Sequence, residues 1–257
     1  TGLIGPVFVI GTIYFLIPYN LAMYGINDVF DYESDLRNPR KGGVEGALLD
    51  RRLHRATLVA ALVTNVPFLV FLVVVGSPLS WLVLAVGVFA VIAYSAPGLR
   101  FKERPFLDSL TSSTHFVSPA LYGLALAGAV FTPQLWLLLA AFFLWGIASH
   151  AFGAVQDVVA DREGDIASIA TVIGARATVR LSVLAYLAAG ILLLFTSWPG
   201  PLAAILAVPY AVSCAPYWNV ADEAAATANR AWRRFLALNF VTGFLVTLLL
   251  IWFVLIR

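Results

Sequence analysis

The stretch Asn27-Asp28-Val29-Phe30-Asp31-Tyr32-Glu33-Ser34-Asp35 sets four acids and an amide directly after a long apolar run. In a helix, Asn27, Asp31 and Asp35 stand at i, i+4 and i+8, and Asp28 follows the same face one position on. Like charges at that spacing repel, so the helix is weakened unless something cationic neutralises them. A hard divalent ion does this: Mg²⁺ takes oxygen ligands, typically one or two carboxylates with phosphate oxygens and water. Taken alone, the stretch reads equally as a solvated acidic loop end.

The apolar run before it is one of many. The 257 residues are 61% hydrophobic and only 12% charged, with a mean hydropathy of +0.91, against about 25% charged residues in soluble domains. This is the composition of an integral membrane protein, read as a single all-α transmembrane domain over residues 1–257. Eight apolar spans reach the length a bilayer requires: about 3–27, 56–76, 79–96, 111–130, 134–155, 177–197, 201–220 and 233–256. Pro18, Pro67, Pro119, Pro209 and Pro216 fall inside spans and are expected to kink them. The net charge of +2 gives no argument for a nucleic-acid partner. Cys214, the single cysteine, reads as packing. No basic stretch with a cleavage site marks a signal peptide.

The connections alternate. Those around Ser77-Pro78, Thr132-Pro133 and Pro199-Gly200 are short and uncharged. The segments 28–55, 97–110, about 156–180 and 221–234 hold fifteen of the sixteen basic residues and all fourteen acids. Alternate connections share a side of the membrane, so one face carries nearly all the charge. The positive-inside rule makes it cytoplasmic and sets both ends of the chain outside; one further helix before Thr1 would return the N-terminus to the cytoplasm. The span interiors hold no ionised side chain, which weighs against ion-coupled transport. Uncoupled movement of a lipid stays open.

A second acidic cluster repeats the logic of the first. Asp157, Asp161 and Asp165 read D-x-x-x-D-x-x-x-D at the same end of another span. On an ideal helix that spacing drifts by only about 40° per step, so all three can face one point. Together the two clusters make a site for two or three Mg²⁺ ions. Between them in sequence comes Tyr94-Ser95-Ala96-Pro97-Gly98-Leu99-Arg100-Phe101-Lys102-Glu103-Arg104. Arg and Lys take the spare oxygens of a metal-bound diphosphate by charge-assisted hydrogen bonds; in isolation the same bases would meet lipid headgroups. Acid pairs, cations and a greasy interior fit ionisation of an allylic diphosphate, with the allylic cation kept from water. Tyr94, Phe116, Tyr122, Trp145 and Phe152 are candidates to face that cation, or are packing residues.

The order N-D-x-x-D-x-x-x-D, then Y-S-x-x-x-x-R-x-K, then D-x-x-x-D-x-x-x-D resembles the UbiA superfamily of intramembrane prenyltransferases along essentially the whole chain. The resemblance implies about nine transmembrane helices around a central cavity, capped on the cytoplasmic side by the acidic loops. With eight spans here, the first family helix is expected to be missing. It implies that Asn27, Asp28, Asp31 and Asp35 form the first Mg²⁺–diphosphate motif and Asp157, Asp161 and Asp165 the second. Arg100 and Lys102 fall where the family sets its diphosphate-binding bases, and Arg40 and Lys41 join them as candidates. The donor is then an allylic diphosphate and the acceptor a hydrophobic lipid within the membrane.

Asn38-Pro39-Arg40-Lys41-Gly42-Gly43 departs from the K/R-P-x-x-x-G segment of quinone-making members, which puts an aromatic quinone precursor in doubt as acceptor. With Lys102 to Ser109, Ser113 to Phe116 and Ser149 to Asp157, the chain is similar to the lycopene elongases. That branch implies attack by a terminal double bond of lycopene on a dimethylallyl cation, with the new tertiary cation losing a proton or capturing water. Candidates to control that ending are His150, seven residues before Asp157, and His115, early in its span. Tyr94 and Asp108 complete the catalytic candidates. Each histidine is equally read as a neutral bond between helices, and Asn20 and Asn65 as amides joining helix to helix. A phosphotransferase using CDP-activated alcohols is the other membrane-embedded, acid-rich enzyme, but its Asp-Gly pair is absent: Val29 follows Asp28.

Overall fold

A computed structural model describes residues 5–36 and 48–256, and every regular element among them is helical. Arg40 and Lys41 lie outside the described residues. In chain order the helices are α1 (Pro6–Leu16), α2 (Pro18–Phe30), α3 (Tyr32–Asp35), α4 (Arg51–Val74), α5 (Pro78–Ser95), α6 (Leu107–Leu126), α7 (Pro133–Val155), α8 (Val158–Glu163), α9 (Ile169–Leu194), α10 (Ala207–Cys214) and α11 (Asn229–Leu255). Short 3₁₀ turns precede α6, α10 and α11.

Seven segments are long and apolar enough to cross a membrane, counting α1 with α2, and α10 and α11 with their 3₁₀ leads. This makes the chain a multi-pass membrane protein. The eighth expected span is α6. It has the length to span, at 20 residues and about 1.5 Å per residue. Its first half, however, carries Asp108, Ser109, Thr111, Ser112, Ser113, Thr114 and His115, which lower its hydropathy below that of the others.

The prolines act in different ways. Pro18 opens α2 after a break at Ile17, since it lacks the N–H that would continue α1. Asn20 donates its amide back to the Phe15 and Leu16 carbonyls, at 2.8 and 3.1 Å. The helix-to-helix bond expected from sequence is thus made between α2 and α1, across the break in one span. Asn65 also joins helices: its amide donates to Pro18 O at 2.7 Å, tying α4 to α2. Pro67, Pro119 and Pro209 lie within α4, α6 and α10, and Pro216 lies in the 3₁₀ turn after α10. In α9, Gly174 has φ +81° and interrupts the helix.

The chain forms two compact units. One runs to Phe101 and takes up Ser118–Ala129; the other comprises Lys102–Val117 and everything from Val130 onward. The first has an aromatic core of Tyr14, Tyr19 and Tyr122 with Leu72, Val83, Leu84 and Val91. Tyr122 donates to the Leu72 carbonyl at 3.1 Å, and the Tyr19 and Ser118 hydroxyls pair at 3.2 Å.

In the second unit α7 and α9 lie side by side, with Phe152, Val155, Val179, Tyr186 and Tyr210 in the core. Gly146 lets α6 lie against α7: a Cβ there would sit 3.1 Å from the Ser113 Cα, whose hydroxyl donates to the Phe143 carbonyl at 2.6 Å. Asp108 is wholly buried. Its carboxylate accepts from the Ser109 N–H at 2.6 Å and from the Ile169 N–H, the first residue of α9, at 2.7 Å. A carboxylate at a helix N-terminus is favoured by the helix dipole as well as by the bond.

Two predictions follow from this packing. Asp108→Ala leaves two buried amides without their acceptor and lowers stability by about 1–3 kcal/mol for each, read as unfolding of the purified protein in detergent. A loss below about 0.5 kcal/mol would mean the carboxylate does not hold α9. Gly146→Ala forces α6 off α7 and costs about 1–3 kcal/mol; an unchanged midpoint would refute the close approach.

Candidate active site

The first acidic motif keeps its register through the junction of α2 and α3. The Asp31 N–H donates to the Asn27 carbonyl at 2.9 Å, and the Asp35 N–H to the Asp31 carbonyl at 2.8 Å. Asn27, Asp31 and Asp35 therefore follow one another at helical spacing, as the sequence predicts. Asp31 and Asp35 are 6% and 9% exposed, which is low for carboxylates at a chain turn. The Asn27 side-chain amide donates to Asp31 Oδ2 at 2.6 Å and to the Ser95 hydroxyl at 3.0 Å. Arg100 brings its guanidinium to 3.9 Å from Asp31 Oδ1, a charge contact longer than a hydrogen bond.

Arg100 holds a left-handed backbone at φ +40°, just after Gly98 at +85°. That conformation is uncommon for a side-chain-bearing residue and turns the chain sharply after α5. Lys102, assigned to the second unit, lies 3.9 Å from Glu103. Glu33, in the middle of the motif, bonds Arg51, whose guanidinium also covers the Tyr32 ring at 4.9 Å.

Below this cluster, an apolar cavity of about 190 Å³ opens beside α2, α4 and α5. Ile26, adjacent to Asn27, lines it together with Ala22, Leu58, Leu62, Val88 and Ile92. One end of α2 therefore carries the acids while the preceding turns line an apolar space.

The second motif is built differently at its end. The Asp161 N–H donates to the Asp157 carbonyl at 2.8 Å, so these two keep the helical spacing. The expectation that Asp165 continues the face fails. Helix α8 stops at Glu163, and Asp165 has φ +54°. The Ile166 N–H reaches the Asp161 carbonyl at 2.8 Å and the Asp165 N–H the Arg162 carbonyl at 3.3 Å. This is a Schellman end, with an aspartate where glycine is usual. Asp165 is exposed there.

At the entry to the motif, Gln156 accepts from the Asn229 amide at 2.7 Å and donates to the Gly153 carbonyl at 3.0 Å. His150 lies two turns back on α7, with Nδ1 3.1 Å from the Ser109 hydroxyl. Asp108, Ser109 and His150 thus lie on one chain of contacts, Asp108 through the Ser109 backbone and His150 through the Ser109 hydroxyl. His115 is buried. Phe152 and Tyr122 are core residues, while Phe116 stacks edge-on against Trp145 at 5.7 Å. Tyr94 is half-buried at the last turn of α5.

Three participants were not picked out from sequence. Ser95 and Ser109 lie beside Tyr94 and Asp108 in the sequence, but a lone serine carries no signal until its neighbour is known. Asp222 stood in a charged connection with nothing to mark it.

The donor set fits Mg²⁺. Asp28 and Asp31 sit where α2 ends, at the partly negative pole of the helix, which favours a cation and disfavours carboxylates. Buried carboxylates need compensation, and hard oxygen ligands suit a hard ion. Within neither unit do three acidic, histidine or cysteine side chains among the described residues converge as a closed cage.

The chain is similar to known proteins along most of its length. A lycopene elongase/hydratase of Corynebacterium glutamicum is 54% identical over 250 residues, covering 97% of this chain and 87% of that protein. The C(50) beta-cyclic carotenoids biosynthesis protein of Dietzia sp. (strain CQ4) is 60% identical over 257 residues, and the chain spans only 60% of its length. A UbiA homolog from Archaeoglobus fulgidus, solved bound to DMAPP and Mg²⁺, shares the fold with a TM-score of 0.64 at 16% identity, over 91% of this chain and 86% of that one. The model of the UbiA prenyltransferase family matches residues 1–241. With the motifs at the helix ends and the match along nearly the whole chain, the protein belongs to the UbiA prenyltransferase family.

Proposed function

We propose that this protein transfers a five-carbon prenyl group from dimethylallyl diphosphate to an end of lycopene within the membrane, with the acidic motifs on the cytoplasmic side. The observation that carries the acceptor is the 54% identity, over 97% of the chain, to a lycopene elongase/hydratase. Asp28, Asp31 and Asp35 of one motif and Asp157, Asp161 and Asp165 of the other hold Mg²⁺. When bound, the ion offsets the charge gathering on the departing diphosphate.

The chain's own groups do the rest. Asn27 fixes the Asp31 carboxylate by its amide bond. Arg100 and Lys102, with Arg40 and Lys41, take diphosphate oxygens. The donor's C–O bond breaks with its electron pair leaving on diphosphate. The terminal double bond of lycopene supplies the pair for the new C–C bond, and the cation moves to a tertiary carbon. The apolar walls beside α2 keep water from the first cation, and Tyr94 offers it a ring face. His150, oriented through Ser109 by Asp108, accepts the proton that ends the second cation or positions the water that captures it; His115 is the alternative base.

The test is purified protein in lipid with Mg²⁺, dimethylallyl diphosphate and lycopene, with products identified by mass. Lycopene gains one or two five-carbon units, and chelation of Mg²⁺ abolishes the gain. Asp31→Ala and Asp161→Ala each lower the rate by at least about 100-fold, the scale for losing one group that stabilises developing charge. Prenylation of an aromatic quinone precursor with lycopene untouched would overturn the acceptor. For His150, the substitution to Ala leaves binding of the diphosphate unchanged but shifts the ratio of alkene to hydrated product. The same ratio at the same rate would remove His150 from the mechanism.

A further inference from the structure

The second acidic motif lies on a short helix between two longer ones, and a six-residue helix does not hold its own shape in isolation. Arg162, between Asp161 and Asp165, turns its guanidinium away from the motif's acids. Its Nε and one terminal nitrogen donate to the Thr171 carbonyl at 3.1 and 2.8 Å. Its other terminal nitrogen donates to Asp222 Oδ2 at 2.6 Å. Asp222 Oδ1 accepts from the Ala175 N–H at 2.7 Å.

That amide is available because of Gly174. With φ +81° and ψ 160° it breaks α9, so a new helical segment begins at Ala175 with its first amides unserved. Asp222 serves one of them from 47 residues away in sequence. A side chain at 174 would meet Asp222 Oδ1 at 3.3 Å, so the backbone break and the carboxylate fit one another. The segment before Asp222 is itself anchored: Arg180, one turn further along α9, donates to the Trp218 carbonyl and to Asn219 Oδ1 at 3.3 and 2.9 Å.

We propose that Arg162 and Asp222 are positioning residues of the second acidic motif, clamping α8 to the break in α9 so that Asp157 and Asp161 are held ready for the metal–diphosphate. This rests on the proposed role of those acids. The pair is half-exposed, at 45% and 29%, and such pairs add little to global stability. What the fork geometry supplies is orientation, because a guanidinium fixes both acceptors at once.

Three variants separate the contributions. Asp222→Asn keeps an oxygen for the Ala175 amide and loses the charge pair; Asp222→Ala loses both; Arg162→Lys keeps a charge without the fork. In the full protein, hydrogen exchange of the segment 158–176 and the Mg²⁺ concentration that half-saturates protection by inorganic diphosphate against heat are measured, with Asp161→Ala beside them. All three clamp variants are expected to exchange faster in that segment while unfolding at nearly the wild-type temperature without ligand. Each should need at least tenfold more Mg²⁺, Asp222→Ala the most, and Arg162→Lys should recover little. If Asp161→Ala raises the Mg²⁺ requirement and the clamp variants do not, the clamp is overturned while the metal role of the motif stands. If Asp161→Ala also leaves it unchanged, the metal role itself fails and the clamp proposal with it.

Discussion

Charge is costly in hydrocarbon, and the constraint reaches every part of this chain. Acids that serve a reaction on an apolar substrate must stand at the membrane boundary, at the ends of spanning helices, yet be withdrawn enough to act in a low dielectric. Asp31 stands at the end of α2 and Asp35 at the end of α3, and both are nearly covered. Their position is electrostatically unfavourable by itself. The carbonyl pole of a helix repels a carboxylate, and neighbouring acids at helical spacing repel each other. A divalent cation at the proposed metal site would relieve that repulsion.

Each motif then needs a neutral or cationic group to fix its shape without consuming its charge. In the first, the Asn27 amide holds one Asp31 oxygen and is itself held to Ser95 on another helix. In the second, Gln156 and Asn229 secure the entry, and Arg162 secures the middle by turning outward to Asp222. An arginine directed at the acids would have competed with the metal. Directed at a remote aspartate and a backbone carbonyl, it stiffens the same helix and leaves the carboxylates their charge. Glu33 follows the same division of labour: it is consumed by Arg51.

The parts legible in the sequence were those governed by local period. Long apolar runs, the sidedness of charge and the helical spacing from Asn27 to Asp35 are all properties of neighbours in the chain. Asp157 and Asp161 were legible for the same reason. Asp165 was not, because Gly164 and a left-handed aspartate end the helix first, and an i+8 spacing says nothing about where a helix stops. Asn20 bonds helix to helix only across the break at Pro18, where its acceptors are carbonyls at the end of α1. Ser95, Ser109 and Asp222 were invisible because their partners lie 68, 41 and 47–60 residues away.

Helix α6 ties these points together. By hydropathy it is the poorest candidate to cross a membrane, and its polar residues read as a defect in a span. Their partners give the opposite reading. Asp108 serves the first amide of α9, Ser109 meets His150, Ser113 meets the Phe143 carbonyl, and Ser118 meets Tyr19. A lipid-facing surface has no use for such groups, whereas a helix face packed on protein can satisfy them. The polar residues therefore mark the parts of α6 that pack on protein, while Leu110 and Phe116 on the same helix are exposed. The cost of burying Asp108 is met by two amides that would otherwise be unserved themselves. Because the same residue's backbone carries Ser109 to His150, the placement of one imidazole is coupled to the start of α9. A change at Asp108 thus reaches the proposed base through structure, which is why its effect on stability and the effect of His150 on products must be read separately.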